Sequence, residues 1–202
     1  GSNVHASVLN SMKFTNMSKL PQNTIATGNN CADGIDGALS TFIGQAEVLD
    51  SLSLLVIGDL SYLYDLNAAI YDFKNNTRVL LFNNFAGGEF HFNIGKKKIS
   101  TLEQHIAAGH HTKIQDAISL SNFQYIAVHN KGELEEKLSL FLRESENPIL
   151  MEVFTNPELD GSSLKKLIRN NIKMTPERLI AGFVNKFLDC RTKYAIKKFL
   201  HR

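Results

Sequence analysis

The chain lacks tryptophan and has only two cysteines and four prolines among its 202 residues. The cysteines, Cys31 and Cys190, provide neither a disulfide framework nor a cysteine zinc site, so we expect a protein of the reducing cytoplasm. No apolar run approaches the roughly 20 residues that a transmembrane helix needs. A formal net charge of +2 gives no reason to expect nucleic acid or another polyanion as partner. These absences together predict a soluble domain.

The remaining composition is that of an ordinary globular protein, with 43% hydrophobic and 21% charged residues. A chain of this length has room for one domain and a short tail. The start at Gly1-Ser2, without methionine, favours a domain excised from a longer protein.

Apolar strand segments alternate with segments of helical spacing along most of the chain. The predicted strands are 24–27, 53–57, 78–82, 124–128 and 149–154. The predicted helices are 6–17, 36–49 with Asp36 as its cap, 61–73, 112–121 and 132–143. The stretch between Gly87 and Thr112 shows no clear period and is predicted to be a mobile loop. The alternation predicts an α/β fold with a three-layer, doubly wound, mostly parallel sheet.

Two buried strands end in polar residues that suit a divalent cation. Asp59 follows the strand 53–57, and Asn84 follows the strand 78–82. In an open parallel sheet, ligands bind beyond the carboxyl ends of the strands, so these side chains lie close together if the strands are neighbours. A carboxylate, an amide oxygen and the Ala86 carbonyl suit Mg²⁺ carrying a diphosphate. Ser61 begins a helical pattern at the same place, and Gly58 allows close approach of the backbone.

The pattern Gly58-Asp59, a gap, then Asn83-Asn84 resembles the signature of thiamine diphosphate enzymes. Gly34-Ile35-Asp36-Gly37-Ala38-Leu39-Ser40-Thr41 and the segment from Gly58 to Asn67 resemble one branch, the succinyl-enolpyruvyl-hydroxycyclohexene-carboxylate synthases of the menaquinone pathway. The similarity covers roughly residues 6–171. It implies the thiamine-diphosphate-binding fold and the C-terminal diphosphate-binding domain of such an enzyme, here residues 1–172.

The resemblance also implies roles for individual residues. Those implied to bind the metal are Asp59, Asn84 and the carbonyl of Ala86. Those implied to line the cofactor site are Ser11, Gly34, Ile35, Gly58, Asp59, Leu60, Ser61 and Asn84. Ile35 would bend the cofactor, which then acts on a 2-oxo acid. The activating glutamate belongs to a pyrimidine-binding domain outside this chain, supplied within a homodimer or homotetramer, so no catalytic residue is assigned here and the isolated chain is expected to be inactive.

Four positions depart from the family pattern. Asn30 and Thr15 stand where this branch usually has arginines that grip substrate carboxylates, and neither replacement reproduces the bidentate fork of arginine. Glu89 and His91 follow the predicted metal loop, where the family tends to be apolar. We therefore expect a paralogue with altered acceptor specificity.

Residues 173–202 are predicted to form a separate amphipathic helical tail that begins near Thr175-Pro176 and ends in a basic segment. The tail could pack on the domain or on a partner, or could contact an anionic membrane surface. The alternative function is accordingly a non-catalytic homologue that keeps the fold as an interaction or membrane-surface module.

Each signal also has a purely structural interpretation. Asp59 and Asn84 could simply cap helices, and Ile35 could belong to the core. The histidines His105, His110 and His111 have no spaced acidic or cysteine partners in the sequence, which favours solvent-exposed histidines over a metal cluster. The run Lys96-Lys97-Lys98 is typical of a solvated loop tip, although it could also close over a bound anion.

Overall fold

The computed structural model describes residues 1–31, 34–93 and 101–171. The chain divides into two compact units, Gly1–Lys165 and Lys166–Arg202. Only the first six residues of the second unit are described, as the end of a helix. The tail predicted for 173–202, the run Lys96-Lys97-Lys98 and Cys190 lie outside the described residues.

The centre of the first unit is a six-stranded sheet in which every strand pair is parallel. Its strands are β1 (Ser2–Ala6), β2 (Thr24–Gly28), β3 (Ser53–Gly58), β4 (Thr77–Asn83), β5 (Gln124–Val128) and β6 (Ile149–Phe154). Their spatial order is β2-β1-β3-β4-β6-β5. The predicted α/β class with a parallel sheet is confirmed.

Helices connect the strands, as parallel pairing requires. The α-helices are α1 (Asn10–Met17), α2 (Ala38–Glu47), α3 (Asp59–Tyr64), α4 (Gly88–Asn93), α5 (Lys131–Leu142) and α6 (Pro157–Asn171). Two 3₁₀ segments, Leu66–Ile70 and Ile114–Leu120, and a π-helical turn, Leu102–Ile106, complete the connections.

Successive residues of the central strands enter two separate apolar clusters. Leu55 and Leu81 pack with α2, α3 and the 3₁₀ segments, whereas Leu54 and Leu80 pack against the cluster that contains Phe141 of α5. Side chains of a strand alternate between the two faces, so both faces of this sheet are covered. The result is the predicted three-layer arrangement.

Several local predictions are wrong. β1 was missed because its inward-facing residues include the polar Asn3 and His5, both almost fully buried, and the helix predicted from Ala6 begins only at Asn10. Asp36 does not cap α2; the capping position is Gly37 at φ +71°, and no side chain caps the helix.

Two further corrections concern the connections. The helix predicted over 61–73 is shorter: α3 ends at Tyr64 and a 3₁₀ segment follows. The stretch predicted to be a mobile loop contains α4 and the π-helical turn.

His5 gives the fold a pH dependence. Its Nδ1 lies 2.9 Å from Thr27 Oγ1 and its Nε2 lies 2.5 Å from Asn29 Oδ1. Burial lowers the pKa of His5 below its ordinary value of 6.5. The unfolded chain therefore binds more protons than the folded chain below that pH, and stability is lost as the pH falls from about 6.5 towards the lower folded-state pKa.

We expect the variant His5→Gln to lose less stability than the native chain between pH 7 and pH 5. The measurement is urea unfolding at both pH values, with His111→Gln, at an exposed position, as the control. Equal pH dependence of native and His5→Gln chains would contradict this assignment.

Candidate functional site

A cavity of about 310 Å³ opens at the carboxyl ends of the strands. Its wall is built by residues at or after the ends of β1, β2, β3, β4 and β6, including Ser7 to Ser11, Ile35, Gly58 to Ser61, Asn84 and Ala86 to Phe90. The chain passes from β1 to β2 on one side and then to β3 on the other, so the strand order reverses here. Such a reversal leaves a crevice at the sheet edge and is the usual ligand site of open α/β sheets.

The structure brings together nearly all of the residues predicted for the site. Those that line the cavity are Ser11, Ile35, Gly58, Asp59, Leu60, Ser61, Asn84 and Ala86. Gly34 is described but does not line it. The register of β3 and β4 pairs Gly58 with Phe82. Asp59 and Asn84, which follow these strands, therefore lie at the same end of the sheet. The binding roles of these residues remain predictions.

Asp59 is the most buried carboxylate of the site. Its Oδ1 accepts a hydrogen bond from the Leu60 N–H at 2.8 Å, and its Oδ2 accepts one from the Phe85 N–H at 2.8 Å. His110 Nε2 lies 3.2 Å from the same Oδ2. Burial raises the pKa of Asp59 in spite of these partners. A carboxylate has about four acceptor positions, so the three contacts leave capacity for a cation.

Both the oxygen and the NH₂ group of the Asn84 side-chain amide form hydrogen bonds. Its Oδ1 accepts from the Ala86 N–H at 3.1 Å, and its Nδ2 donates to Asp160 Oδ2 at 2.9 Å. The same Asp160 oxygen accepts from Thr155 Oγ1 at 2.7 Å. Because an ionised carboxylate only accepts hydrogen bonds, Asp160 fixes the orientation of the amide, with its NH₂ group towards Asp160 and its oxygen towards the Ala86 N–H. One lone pair of that oxygen is left for a metal.

The loop after β4 is held by a series of buried side-chain hydrogen bonds. The Phe85 N–H also donates to Asn83 Oδ1 at 3.0 Å, and Asn83 Nδ2 donates to Glu152 Oε1 at 2.6 Å. Phe85 has φ +62°, and Leu9 on the facing segment has φ +63°. Positive φ angles are unfavourable for residues other than glycine and often mark functional loops. The loop conformation is therefore imposed by its buried partners.

Ser61 has a structural role that the sequence did not reveal. Its hydroxyl donates to the Ile35 carbonyl at 2.6 Å and lies 3.0 Å from Ser7 Oγ. These bonds tie the Ile35 segment to the start of α3 and to the residue after β1. Ser61 thus helps to assemble the cavity wall from three separate segments.

Gly58 is a glycine that the chain's own packing does not require. Its backbone angles, φ −88° and ψ 160°, are extended and open to any residue. A Cβ built at this position would meet no other atom within 4 Å. Since Gly58 lines the cavity, the space beside it is room for a ligand.

The positions that depart from the family pattern form contacts within the chain. Thr15 donates its hydroxyl to the Ser11 carbonyl at 2.8 Å, one turn earlier in α1. Glu89 binds Lys13 through both carboxylate oxygens, each 2.6 Å from Nζ. The expected negative charge at Glu89 is therefore offset by a cation that the sequence did not single out.

Sequence reasoning missed Asp160, which lines the cavity, and also Lys13 and His110, which contact the cavity residues Glu89 and Asp59. The prediction of solvent-exposed histidines is confirmed for His105 and His111 and is wrong for the half-buried His110. The contact between His110 and Asp59 joins residues 51 positions apart, so no local signal could have shown it.

Across 1–31, 34–93 and 101–171, no three His, Cys, Asp or Glu side chains are grouped so as to hold a metal. In that same part of the chain, no helix combines the length and the apolar character needed to cross a bilayer.

Comparison with known proteins gives one consistent result. No protein-family model matches the chain. A protein of Bacteroides thetaiotaomicron is 35% identical over 157 residues, which are 76% of this chain and 28% of that protein. A protein of Phocaeicola vulgatus is 33% identical over 166 residues, 81% of this chain and 30% of that protein. A protein of Flavobacterium psychrophilum is 31% identical over 143 residues, which are 70% of this chain and 26% of that protein.

All three relatives are named 2-succinyl-5-enolpyruvyl-6-hydroxy-3-cyclohexene-1-carboxylate synthase. The resemblance inferred from the motifs is confirmed. The chain spans less than a third of the length of these curated relatives.

Proposed function

We propose that this chain, a homologue of part of the 2-succinyl-5-enolpyruvyl-6-hydroxy-3-cyclohexene-1-carboxylate synthases, is the thiamine diphosphate and Mg²⁺ binding domain of a 2-oxo acid decarboxylase and carboligase. The observation that carries the proposal is that Asp59 and Asn84 lie in the wall of one cavity, at the ends of neighbouring parallel strands. The synthase name is that of the relatives, and we infer a different acceptor for this chain.

The oxygens of the site fit a hard cation. Asp59 offers a carboxylate, and Asn84 offers an amide oxygen held in place by Asp160. With the carbonyl of Ala86 these residues would hold Mg²⁺, which prefers oxygen ligands and keeps positions for water and phosphate. The bound cation would also reduce the cost of keeping Asp59 ionised in a buried position.

The remaining wall fits a cofactor that is anionic at one end and apolar at the other. Gly58 leaves room for phosphate oxygens close to the backbone, and Ser11 lines the same cavity. Ile35, Leu60 and Phe90 supply apolar surface that would contact the rings and exclude water. When bound, thiamine diphosphate supplies the electron sink for decarboxylation of a 2-oxo acid.

The catalytic glutamate would come from a pyrimidine-binding domain of the same enzyme, within a homodimer or homotetramer. This chain's residues bind the metal, position the cofactor and shape the substrate space. The isolated chain should bind the cofactor but not turn over substrate.

We expect Asp59→Ala to weaken Mg²⁺-dependent thiamine diphosphate binding at least tenfold, because the substitution removes the only charged oxygen ligand in the proposed set. Isothermal titration calorimetry of the 202-residue chain with thiamine diphosphate, with and without Mg²⁺, measures the effect. Asp72→Ala, at an exposed position away from the cavity, is the control.

Equal binding by the native and Asp59→Ala chains would contradict the proposal. Absence of cofactor binding to the native chain at millimolar ligand would favour the non-catalytic alternative.

A further inference from the structure

The charged side chains in the cavity wall are all acidic. Asp59, Glu89 and Asp160 line the cavity, and within the described part of the chain no lysine, arginine or histidine does. Much of the remaining wall is apolar, including Phe14, Ile35 and Phe90. Like charges repel strongly where water is scarce. Such a wall is therefore unfavourable for a substrate that carries a second carboxylate in addition to that of the 2-oxo acid group.

Glu89 holds a cation, Lys13, against this wall. Its Nζ lies 2.6 Å from each of the two Glu89 oxygens, the bidentate approach that a substrate carboxylate would also make. The ammonium also lies 4.9 Å from the centre of the Phe92 ring, which restricts its movement. The Glu89 side chain is only 13% exposed, so the pair is partly shielded from solvent and from screening by salt.

Thr15 adds to this effect. Its hydroxyl is bonded to the backbone of its own helix, one turn from the cavity residue Ser11. Neither Thr15 nor Lys13 lines the cavity, so neither presents its donor group there.

We propose, on the basis of the function proposed above, that Glu89 acts as an internal substitute for a substrate carboxylate and thereby sets substrate specificity. By holding Lys13, Glu89 excludes substrates with an additional carboxylate, and the cavity accepts 2-oxo acids and carbonyl compounds with uncharged apolar side chains. Glu89 is a specificity-determining residue and takes no part in bond making.

The test compares two 2-oxo acids of similar size, 2-oxoglutarate and 4-methyl-2-oxopentanoate, by NMR titration of the 202-residue chain with thiamine diphosphate and Mg²⁺ present. For the native chain we expect at least tenfold tighter binding of 4-methyl-2-oxopentanoate. For Glu89→Gln, which releases Lys13, we expect 2-oxoglutarate to bind at least fivefold more tightly than to the native chain. The double variant Lys13→Met/Glu89→Gln should lose that gain.

Glu135→Gln is the matched control, because Glu135 pairs with Lys131 on an exposed helix face. It should leave both affinities unchanged. Circular dichroism establishes that each variant is folded, and Glu89→Leu with Lys13 intact serves as a second variant if Glu89→Gln is not. Unchanged preference in the Glu89 variants, or no detectable binding of either acid, overturns the inference.

Cofactor binding is measured on the same samples. If the chain binds thiamine diphosphate in an Asp59-dependent manner while the preference between the two acids is unaffected by Glu89, only the inference about specificity fails. If Asp59-dependent cofactor binding is absent, the proposed function itself fails.

Discussion

Replacing Gly58 by valine is expected to abolish thiamine diphosphate binding while leaving the chain folded. A side chain at this position enters the cavity, where a Cβ meets no protein atom within 4 Å. The extended backbone at φ −88° suits a β-branched residue. Gly58 precedes the first turn of α3, where valine is a poorer residue than glycine, so a stability loss of about 1 kcal/mol or less is expected.

Calorimetry should show at least a hundredfold loss of cofactor affinity for Gly58→Val and a smaller loss for Gly58→Ala. The graded series matters, because a steric effect grows with side-chain volume. Urea unfolding of the same variants separates this effect from damage to the fold.

Gly44 provides the matched control. It also has no neighbour within 4 Å of a built Cβ, but it lies on the exposed face of α2, away from the cavity. Gly44→Ala should stabilise the chain by about 0.5–1 kcal/mol, because alanine is the better helix former. It should leave cofactor binding unchanged. A native-like affinity of Gly58→Val would show that the space beside Gly58 is not the cofactor site.

The sequence predicted the strands and the site residues that depend on short-range patterns. Continuous apolar runs such as β3 and β4 are typical of strands buried on both faces, and the polar residues directly after them must lie at the sheet edge. Asp59 and Asn84 could therefore be placed from the sequence. The order of strands was needed only to make these two strands neighbours, which the structure shows.

What the sequence could not show depends on pairing over long distances or on buried polar residues. β1 was missed because Asn3 and His5 interrupt its apolar pattern, although both are buried. Asp160 supports Asn84 across 76 positions, and Glu152 supports Asn83 across 69. Such partners are chosen by the folded backbone, since any acidic residue in the sequence is an equally good candidate before the strands are placed.

Arg78 is a further buried polar residue that the sequence did not single out, and it anchors the strand that precedes the Asn84 loop. It lies near the start of β4 and is only 1% exposed. Its guanidinium donates to four backbone carbonyls: Phe141 at 2.6 Å, Arg143 at 2.5 Å, Asn75 at 2.7 Å and Thr77 at 2.8 Å. Burial lowers the pKa of Arg78. Within the described ranges no carboxylate forms an ion pair with it.

Two of these carbonyls belong to the end of α5, where the last carbonyls of a helix have no partner within the helix. A cation at that end is also favoured by the helix dipole. Arg78 therefore joins β4 to α5 by supplying the donors that the helix end lacks, and the planar guanidinium reaches several acceptors at once. The position of β4, and of the metal loop after it, depends on this junction.

We expect Arg78→Met to lower the free energy of unfolding by about 3 kcal/mol or more, because each buried carbonyl left without a donor costs about 1–3 kcal/mol. Arg78→Lys should recover less than half of the loss, because a single ammonium nitrogen cannot reach all four carbonyl acceptors at once. Urea unfolding at neutral pH measures both. Arg143→Met is the control: its carbonyl is used but its side chain is exposed, so a change within about 0.5 kcal/mol is expected. A loss for Arg78→Met no larger than that of the control would show that the junction does not stabilise β4.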